Sequence, residues 1–427
     1  MTEGGKAKDR RQYLYPNIRT YYSEPLVLAR GRGITAWDTQ GREYLDLFGG
    51  ILTVSLGHAH AAVTEAVIDQ VQKISHTSTC YLNEPMLDVA EHLARITPGR
   101  LERCFFTNSG TEANETAIMT ARAYTGNHHV IALRHSYHGR SSLATSITGN
   151  AAWRPVGSEH PGVTYAHNGY CYRCPFHLSY PSCDVACARD IENLIQTTTS
   201  GRVAALIAEP VQGVGGFITP PPEYFRIASD IVRRHGGIFI CDEVQTGFGR
   251  TGGRMFGIEH WDVEPEIMVF AKGLANGAPV GATIALPEVA EAFEVQSIST
   301  FGGNPVSMAA AMATLREIEE QDMPAHVARI GDIFHRNLID LSDRFTFIGD
   351  VRGMGLMIGL ELVGPGGEPV PDLASRFLEE AREEGILVGR GGLFGNVIRL
   401  TPPMTISDQE AEQAVDGLER VCQRLQA

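Results

Sequence analysis

Through the middle of this 427-residue chain, short apolar runs rich in β-forming residues alternate with stretches patterned for helices, and every run breaks off into polar chemistry. The runs are RCFFT from Arg103, HVIAL from His129, VAALIA from Val203, GIFIC from Gly237 and IMVFA from Ile267. They lead into NSGTEANE, RHSYHGR, EPVQG, DEVQTGFGR and Lys272-Gly273 respectively. Strands alternating with helices imply a parallel sheet covered by helices. In open sheets of this kind ligands bind beyond the carboxyl ends of the strands, so five polar termini are expected to converge on one site. The expected fold is α/β, a large mostly parallel sheet domain with helices on both faces plus a smaller α/β lobe. Residues 1–60 are expected to contribute to the small lobe, 61–315 to form the large domain with a cysteine-rich insert at 167–190, and 316–427 to form the C-terminal small domain. Within these, LVLARGRGITAWDTQGREYLDLFGG reads as a strand pair turning at Asp38–Gly41, and Asn304-Pro305 as the start of a helix.

The lysine at the end of the last run is conspicuous. The chain has 36 Lys plus Arg, of which only Lys6, Lys8, Lys73 and Lys272 are lysines. A guanidinium cannot lose its proton in a protein, whereas an amine can, and a neutral amine forms Schiff bases. Directly after a buried apolar strand, where an ammonium is costly to desolvate, Lys272 is a candidate for covalent catalysis. Ser109, Gly110 and Thr111 stand between a strand and a helix, where free N–H groups suit a phosphate. The plainer reading of the same residues is a helix cap. Asp242 follows GIFIC and could pair with a protonated ring nitrogen, or cap the next turn. Together, in this chain order, phosphate cradle, carboxylate and lysine are the three fixed points of pyridoxal 5′-phosphate.

Competing chemistries fit less well. Gly31–Ala36 satisfies a loose dinucleotide pattern but leads into a strand rather than a helix. No P-loop and no HExxH occur. His135 and His138 have metal-like spacing without a third ligand nearby and read as loop histidines. The formal net charge of −14 argues against nucleic acid and anionic membrane as partners. No run approaches the roughly 18 to 20 apolar residues of a membrane helix, and MTEGGKAKDRRQYLYPNIRT lacks the apolar centre of a signal peptide, so a cytoplasmic location is expected. Cys171, Cys174, Cys183 and Cys187 cluster in CYRCPFHLSYPSCDVAC, where four thiolates could close a structural zinc site, form two disulfides or remain plain thiols.

The segments DEVQTGFGRTG, AKGLANGAPVGA, TFGGNP, NSGTEANETA and RGMGLMIGLEL together resemble the class III pyridoxal-phosphate aminotransferases across essentially the whole chain. The resemblance implies the fold of type I enzymes, with Lys272 carrying the cofactor aldehyde and moving protons, and Asp242 pairing with the pyridine nitrogen. It implies that Val244 packs on the ring, Tyr137 stacks on its other face, and Gln245 lies near the ring hydroxyl. Ser109, Gly110 and Thr111 would hold the phosphate, with His138 and Glu209 among the cofactor contacts. Thr300 resembles a phosphate ligand donated across a homodimer, or a tetramer built from it. For substrate, Arg399 would hold a carboxylate, Glu209 would neutralise it when the donor lacks one, and Arg140 could hold a distal carboxylate. Within the family the chain resembles the alanine–glyoxylate group of the second type and the ethanolamine-phosphate phospho-lyases. Transfer of an amino group from an amino acid or ω-amine to pyruvate, glyoxylate or 2-oxoglutarate is therefore the leading expectation. A phospho-lyase acting on an amino-alcohol phosphate is the second. A non-catalytic cofactor-fold protein is the third, against which Lys272 and Asp242 both speak.

Overall fold

The computed structural model describes residues 10–18 and 20–426; Lys6, Lys8 and the rest of residues 1–9, together with residue 19, of the segment read for a signal peptide's apolar centre lie outside these. The five apolar runs all enter one seven-stranded sheet, in the order Arg103–Thr107, Gly281–Ala285, Ile267–Phe270, Ile238–Asp242, Ala205–Ala208, Val130–Leu133, Val163–Ala166. Gly281–Ala285 is antiparallel to both of its neighbours, and the remaining pairs are parallel. Side chains alternate between two cores because a strand's period is two. Ile131, Leu206, Phe239 and Met268 face one core, while Val130, Ala205, Ile238 and Ile267 face the other. A sheet buried on both faces must be apolar throughout its strands, which accounts for runs that are continuous rather than alternating. Val163–Ala166 and Gly281–Ala285 are strands that the sequence pattern did not announce.

Helix Gly110–Thr125 lies against one face through Ala113, Ala117, Ile118 and Ala121, whose mostly small side chains let it sit close. It ends at Gly126, whose φ of 64° closes the helix in the left-handed conformation that glycine adopts without cost. Asn304 caps helix Pro305–Glu320 by accepting from Ser307 N at 2.9 Å, as its sequence implied.

Two smaller sheets stand beside the large one. Residues Leu28–Arg32, Thr35–Asp38 and Glu43–Asp46 form three strands rather than the expected pair, and Ile386–Leu387 joins them in parallel to Glu43–Asp46. Asp38 Oδ1 closes the turn by accepting from Gln40 N and Arg42 N. In the third sheet Ile348–Met354, Met357–Leu362, Val397–Leu400 and Gly389–Gly391 are antiparallel, with Gly359 opposite Arg399. Helices Pro371–Glu383 and Asp408–Gln426 pack on this part of the chain.

The cysteine-rich insert reaches across to the third sheet. Glu361, 1% exposed, accepts from Tyr170 Oη, Arg173 Nε and Arg352 Nη1. Of the three readings left open for the cysteines, zinc finds no support: no group of three or more His, Cys, Asp or Glu side chains among the described residues is arranged to hold a metal ion. Cys171, Cys174, Cys183 and Cys187 border one small cavity of about 20 Å³ as free thiols. Cys171 is exposed, while Cys187 packs against the apolar core as a small hydrophobe, and burial pushes its thiol up to about 12.

Candidate active site

Six of the seven central strands run the same way, so their carboxyl ends share one edge, and there a cavity of about 490 Å³ opens. That volume suits a cofactor with a small substrate. Lys272 stands in it just after Ile267–Phe270, with φ at 45°, a left-handed conformation seldom adopted by a residue with a side chain. Such strain persists where the surroundings over-determine it and clusters at functional sites. Burial pulls the Lys272 amine down to about 8; the nearby carboxylate of Asp242 opposes this and the Arg399 charge reinforces it.

Asp242 ends the neighbouring strand, 3% exposed. Its Oδ2 accepts from Asn114 Nδ2 at 2.8 Å and lies 2.7 Å from His138 Nδ1, which must therefore carry the proton. Its Oδ1 accepts from Val244 N at 3.1 Å. Three donors thus fix the carboxylate in the cavity wall: Oδ1 caps the following turn, while Oδ2 is held by Asn114 and His138. His138 Nε2 is buried without a partner. His138 is consequently no free loop histidine but the group that orients Asp242. Asn114 was not foreseen, although a buried amide four residues after Gly110 on a helix facing the sheet was a legible signal.

At the helix entrance the two readings divide between residues. Ser109 Oγ donates to Glu112 at 2.9 Å, and Glu112 also accepts from Asn108 N, which is helix-end chemistry. Gly110 and Thr111 border the cavity, and Thr111 Oγ1 lies 2.5 Å from Ser141 Oγ while accepting from Arg140 N and Ser141 N. A Cβ on Gly110 would come within 3.1 Å of Val244, and one on Gly139, at φ 134°, would overlap Thr111. The loop after Val130–Leu133 therefore closes onto the helix only because glycine stands at 139. Tyr137 lines the cavity and meets Trp153 edge-on at 5.3 Å. Glu209, 3% exposed, accepts from Tyr137 N and Gly213 N, and burial pushes its carboxyl up to about 7.

Gln245 and Arg140 also border the cavity. Arg399, buried to 3%, joins it through Gln245, donating Nη2 to Oε1 at 2.9 Å. Phe48 and Phe217 flank the guanidinium with ring centroids 5.6 and 4.7 Å from Cζ, and neither was foreseen. Thr300 lies apart, exposed and outside the cavity lining.

A glycine-lined cradle at a helix start, a fixed carboxylate and a buried amine of lowered proton affinity fit pyridoxal 5′-phosphate, and with this sheet they define a pyridoxal-phosphate enzyme of fold type I. The family model for aminotransferase class-III matches residues 19–422, and the chain belongs to that family. Alanine–glyoxylate aminotransferase 2 homolog 2, mitochondrial, from Arabidopsis thaliana is 40% identical over 413 residues, covering 96% of this chain and 85% of that one. The PLP-bound amine transaminase from an uncultivated Pseudomonas species superposes with a TM-score of 0.91 at 34% identity, covering 96% and 98% of the two chains. A phospholyase from Arthrobacter in complex with phosphoethanolamine gives a TM-score of 0.90 at 33% identity, covering 98% and 99%. The protein is a pyridoxal-phosphate-dependent transaminase.

Proposed function

We propose that the enzyme moves an amino group from an amino acid or ω-amine to a small keto acid such as pyruvate, glyoxylate or 2-oxoglutarate, with Arg399 receiving the carboxylate. The observation that carries this reading is a buried guanidinium, linked to the cavity through Gln245, whose Nε has no partner. Pyridoxal 5′-phosphate, when bound, supplies an aldehyde that takes up the amine and a ring that draws charge from the reacting carbon. Lys272 accepts and returns the proton at that carbon through Nζ, and its lowered proton affinity suits the task near neutral pH. Asp242 presents a carboxylate to the protonated ring nitrogen, held by His138 and Asn114. Gly110, Thr111 and the adjoining Ser109 backbone hold the phosphate, Tyr137 and Val244 the ring, and Gln245 the ring hydroxyl. Arg140, exposed at the mouth, meets the distal carboxylate of a longer substrate.

The same reading makes the enzyme a homodimer, or a tetramer built from it, with Thr300 reaching the partner's phosphate. Supporting this, Tyr81 and Leu82 are 72% and 73% exposed, and Val295, Ile298 and Phe301 are 72%, 67% and 61% exposed. The two segments adjoin, since Phe301 meets His76 at 5.2 Å and Gly303 O accepts from Asn83. Large apolar surface of this kind marks an interface. Eight free thiols are in keeping with a reducing cytoplasm, and no helix among the described residues is long and apolar enough to cross a membrane.

The Arthrobacter neighbour keeps elimination from an amino-alcohol phosphate as the second reading. A donor with no keto acid present should leave the cofactor in its aminated form, and a keto acid should restore it. Arg399→Ala should raise KM for the keto acid by at least tenfold, and for a simple amine far less. Steady release of inorganic phosphate from phosphoethanolamine without any keto acid would replace transfer by elimination.

A further inference from the structure

Tyr170, the residue before Cys171, joins the cysteine-rich insert to two loops of the active site. Its ring meets His135 edge-on at 5.7 Å, two residues before Tyr137. The Arg352 guanidinium lies 4.9 Å from the same ring. The Tyr170 hydroxyl donates to Glu361, which also accepts from Arg352 Nη1 at 2.7 Å. Arg352 Nε in turn donates to Gly216 O at 2.7 Å, and Gly216 precedes Phe217, the ring beside Arg399. The two loops also meet each other, since a Cβ on Gly215 would lie 2.9 Å from His135 O. Tyr170 is buried, so any shift of its backbone has to be taken up by these close-packed neighbours.

Beside Tyr170 the four thiols border one small cavity, Cys171 exposed and Cys174, Cys183 and Cys187 half-buried. They come from two segments: the turn Cys171–Arg173 with Cys174 after it, and the entrance of helix Ala186–Thr198, with Cys183 before it and Cys187 in its first turn. Cys183 acts on Cys171 more strongly than Cys174 does, and Tyr180 and Cys187 each feel Cys171 and Cys183 together. Such influence falls with distance, which sets Cys183 against Cys171 across the cavity. We infer that Cys171 and Cys183 are a reversibly oxidised pair, closed to a disulfide by hydrogen peroxide, and that Tyr170 carries the change to the substrate site. The Cys171 thiolate attacks a peroxide oxygen and the O–O bond breaks; sulfur is oxidised to a sulfenic acid, and the peroxide is reduced and leaves as water. The Cys183 thiolate then attacks that sulfur and expels hydroxide, which takes up a proton, so two thiols and one peroxide give one disulfide and two waters. Exposure assigns the first step to Cys171. Burial, then Cys183 and Cys174, raise the Cys171 thiol above its ordinary range, so its thiolate is scarce at neutral pH and the bond forms faster as pH rises. A disulfide holds its two Cα atoms within about 7 Å of each other, and closing this one ties the backbone next to Tyr170 to the helix entrance. Transient bonds of this sensing kind are compatible with a reducing compartment.

The test treats the holoenzyme with hydrogen peroxide, alkylates the remaining thiols and maps the linked peptides by mass spectrometry, a readout that holds whatever the substrate. KM and kcat with pyruvate as acceptor are measured before treatment, after it, and after dithiothreitol. The expected result is a Cys171–Cys183 bond, formed at least about tenfold faster at pH 8.5 than at pH 6.5. With it, KM should rise at least about fivefold as Phe217 shifts beside Arg399, kcat should change less than about twofold, and dithiothreitol should reverse both. Cys183→Ser and Cys171→Ser should each match the unaltered enzyme when untreated and show no change in KM with peroxide. Tyr170→Phe, which lacks the hydroxyl that grips Glu361, should still form the bond but lose most of the KM response. A bond mapped to Cys174, or no bond at all, would overturn the pair, as would a peroxide effect on KM that persists in Cys171→Ser. A Cys171–Cys183 bond that leaves KM unmoved would overturn the link to the substrate site, and a full response in Tyr170→Phe would overturn the part given to Tyr170.

Discussion

Lys272 sits at the meeting of two opposed demands, since burial favours its neutral amine while the adjacent carboxylates favour the ammonium. Burial wins, and the proton affinity falls to about 8 from an ordinary value of 10.5. Only the neutral amine attacks an aldehyde. Below pH 8 the neutral fraction drops about tenfold per unit, and above it the fraction levels off. Uptake of pyridoxal phosphate by the apo protein should therefore accelerate with pH up to about 8 and then plateau, as stopped-flow absorption would show. A plateau displaced to 10 or higher would mean the amine is not desolvated. Lys272→Ala should stay folded, lose the near-visible absorption of the bound cofactor and lose turnover. Both Lys272 and Asp242 were legible in the sequence because each breaks an apolar run, and a charged group at a buried strand end demands a partner. Phe48 and Phe217 were not legible, because their place beside Arg399 arises from packing between segments far apart in the chain, with no local pattern to announce it.

The strands were legible where both faces are covered, since a short unbroken apolar run between turn-forming residues suits a strand buried on both sides. Gly281–Ala285, GATIA, and Val163–Ala166, VTYA, are short and mix small or polar residues, so their strand character comes from neighbours already in the sheet. The cysteine insert was left open between zinc, disulfides and plain thiols because spacing along the chain does not tell which way a side chain turns; Cys187 packs against the core. What holds the insert instead is Glu361, where Tyr170 and Arg173 meet Arg352 from the third sheet. Replacing Glu361 by alanine leaves Arg352, 10% exposed, without its most buried partner. Breaking a buried pair in this way costs about 3–5 kcal/mol, which urea denaturation of the apo protein should register. A loss under about 1 kcal/mol would show that Asp350 alone satisfies Arg352.

Across the whole molecule, the described chain leaves Thr300 and a group of large apolar side chains outward. If that face is covered by a second copy, Thr300→Ala should weaken cofactor retention although Thr300 lies outside the cavity of its own chain. A charged residue at Leu82 should yield monomers in analytical ultracentrifugation with parallel loss of bound cofactor. Dimers that persist in Leu82→Glu would place the interface elsewhere.

The direction of the strands has one more implication. With six strands delivering their ends to one edge and Gly281–Ala285 alone returning, all the reactive groups gather at that edge. The turns at the opposite edge, such as those before His129 and Ile238, carry none of them. Extra residues grafted into those turns would burden folding but not turnover, so that edge offers attachment points for tethers, labels or immobilisation, and is where the chain can drift in length while its chemistry stays the same.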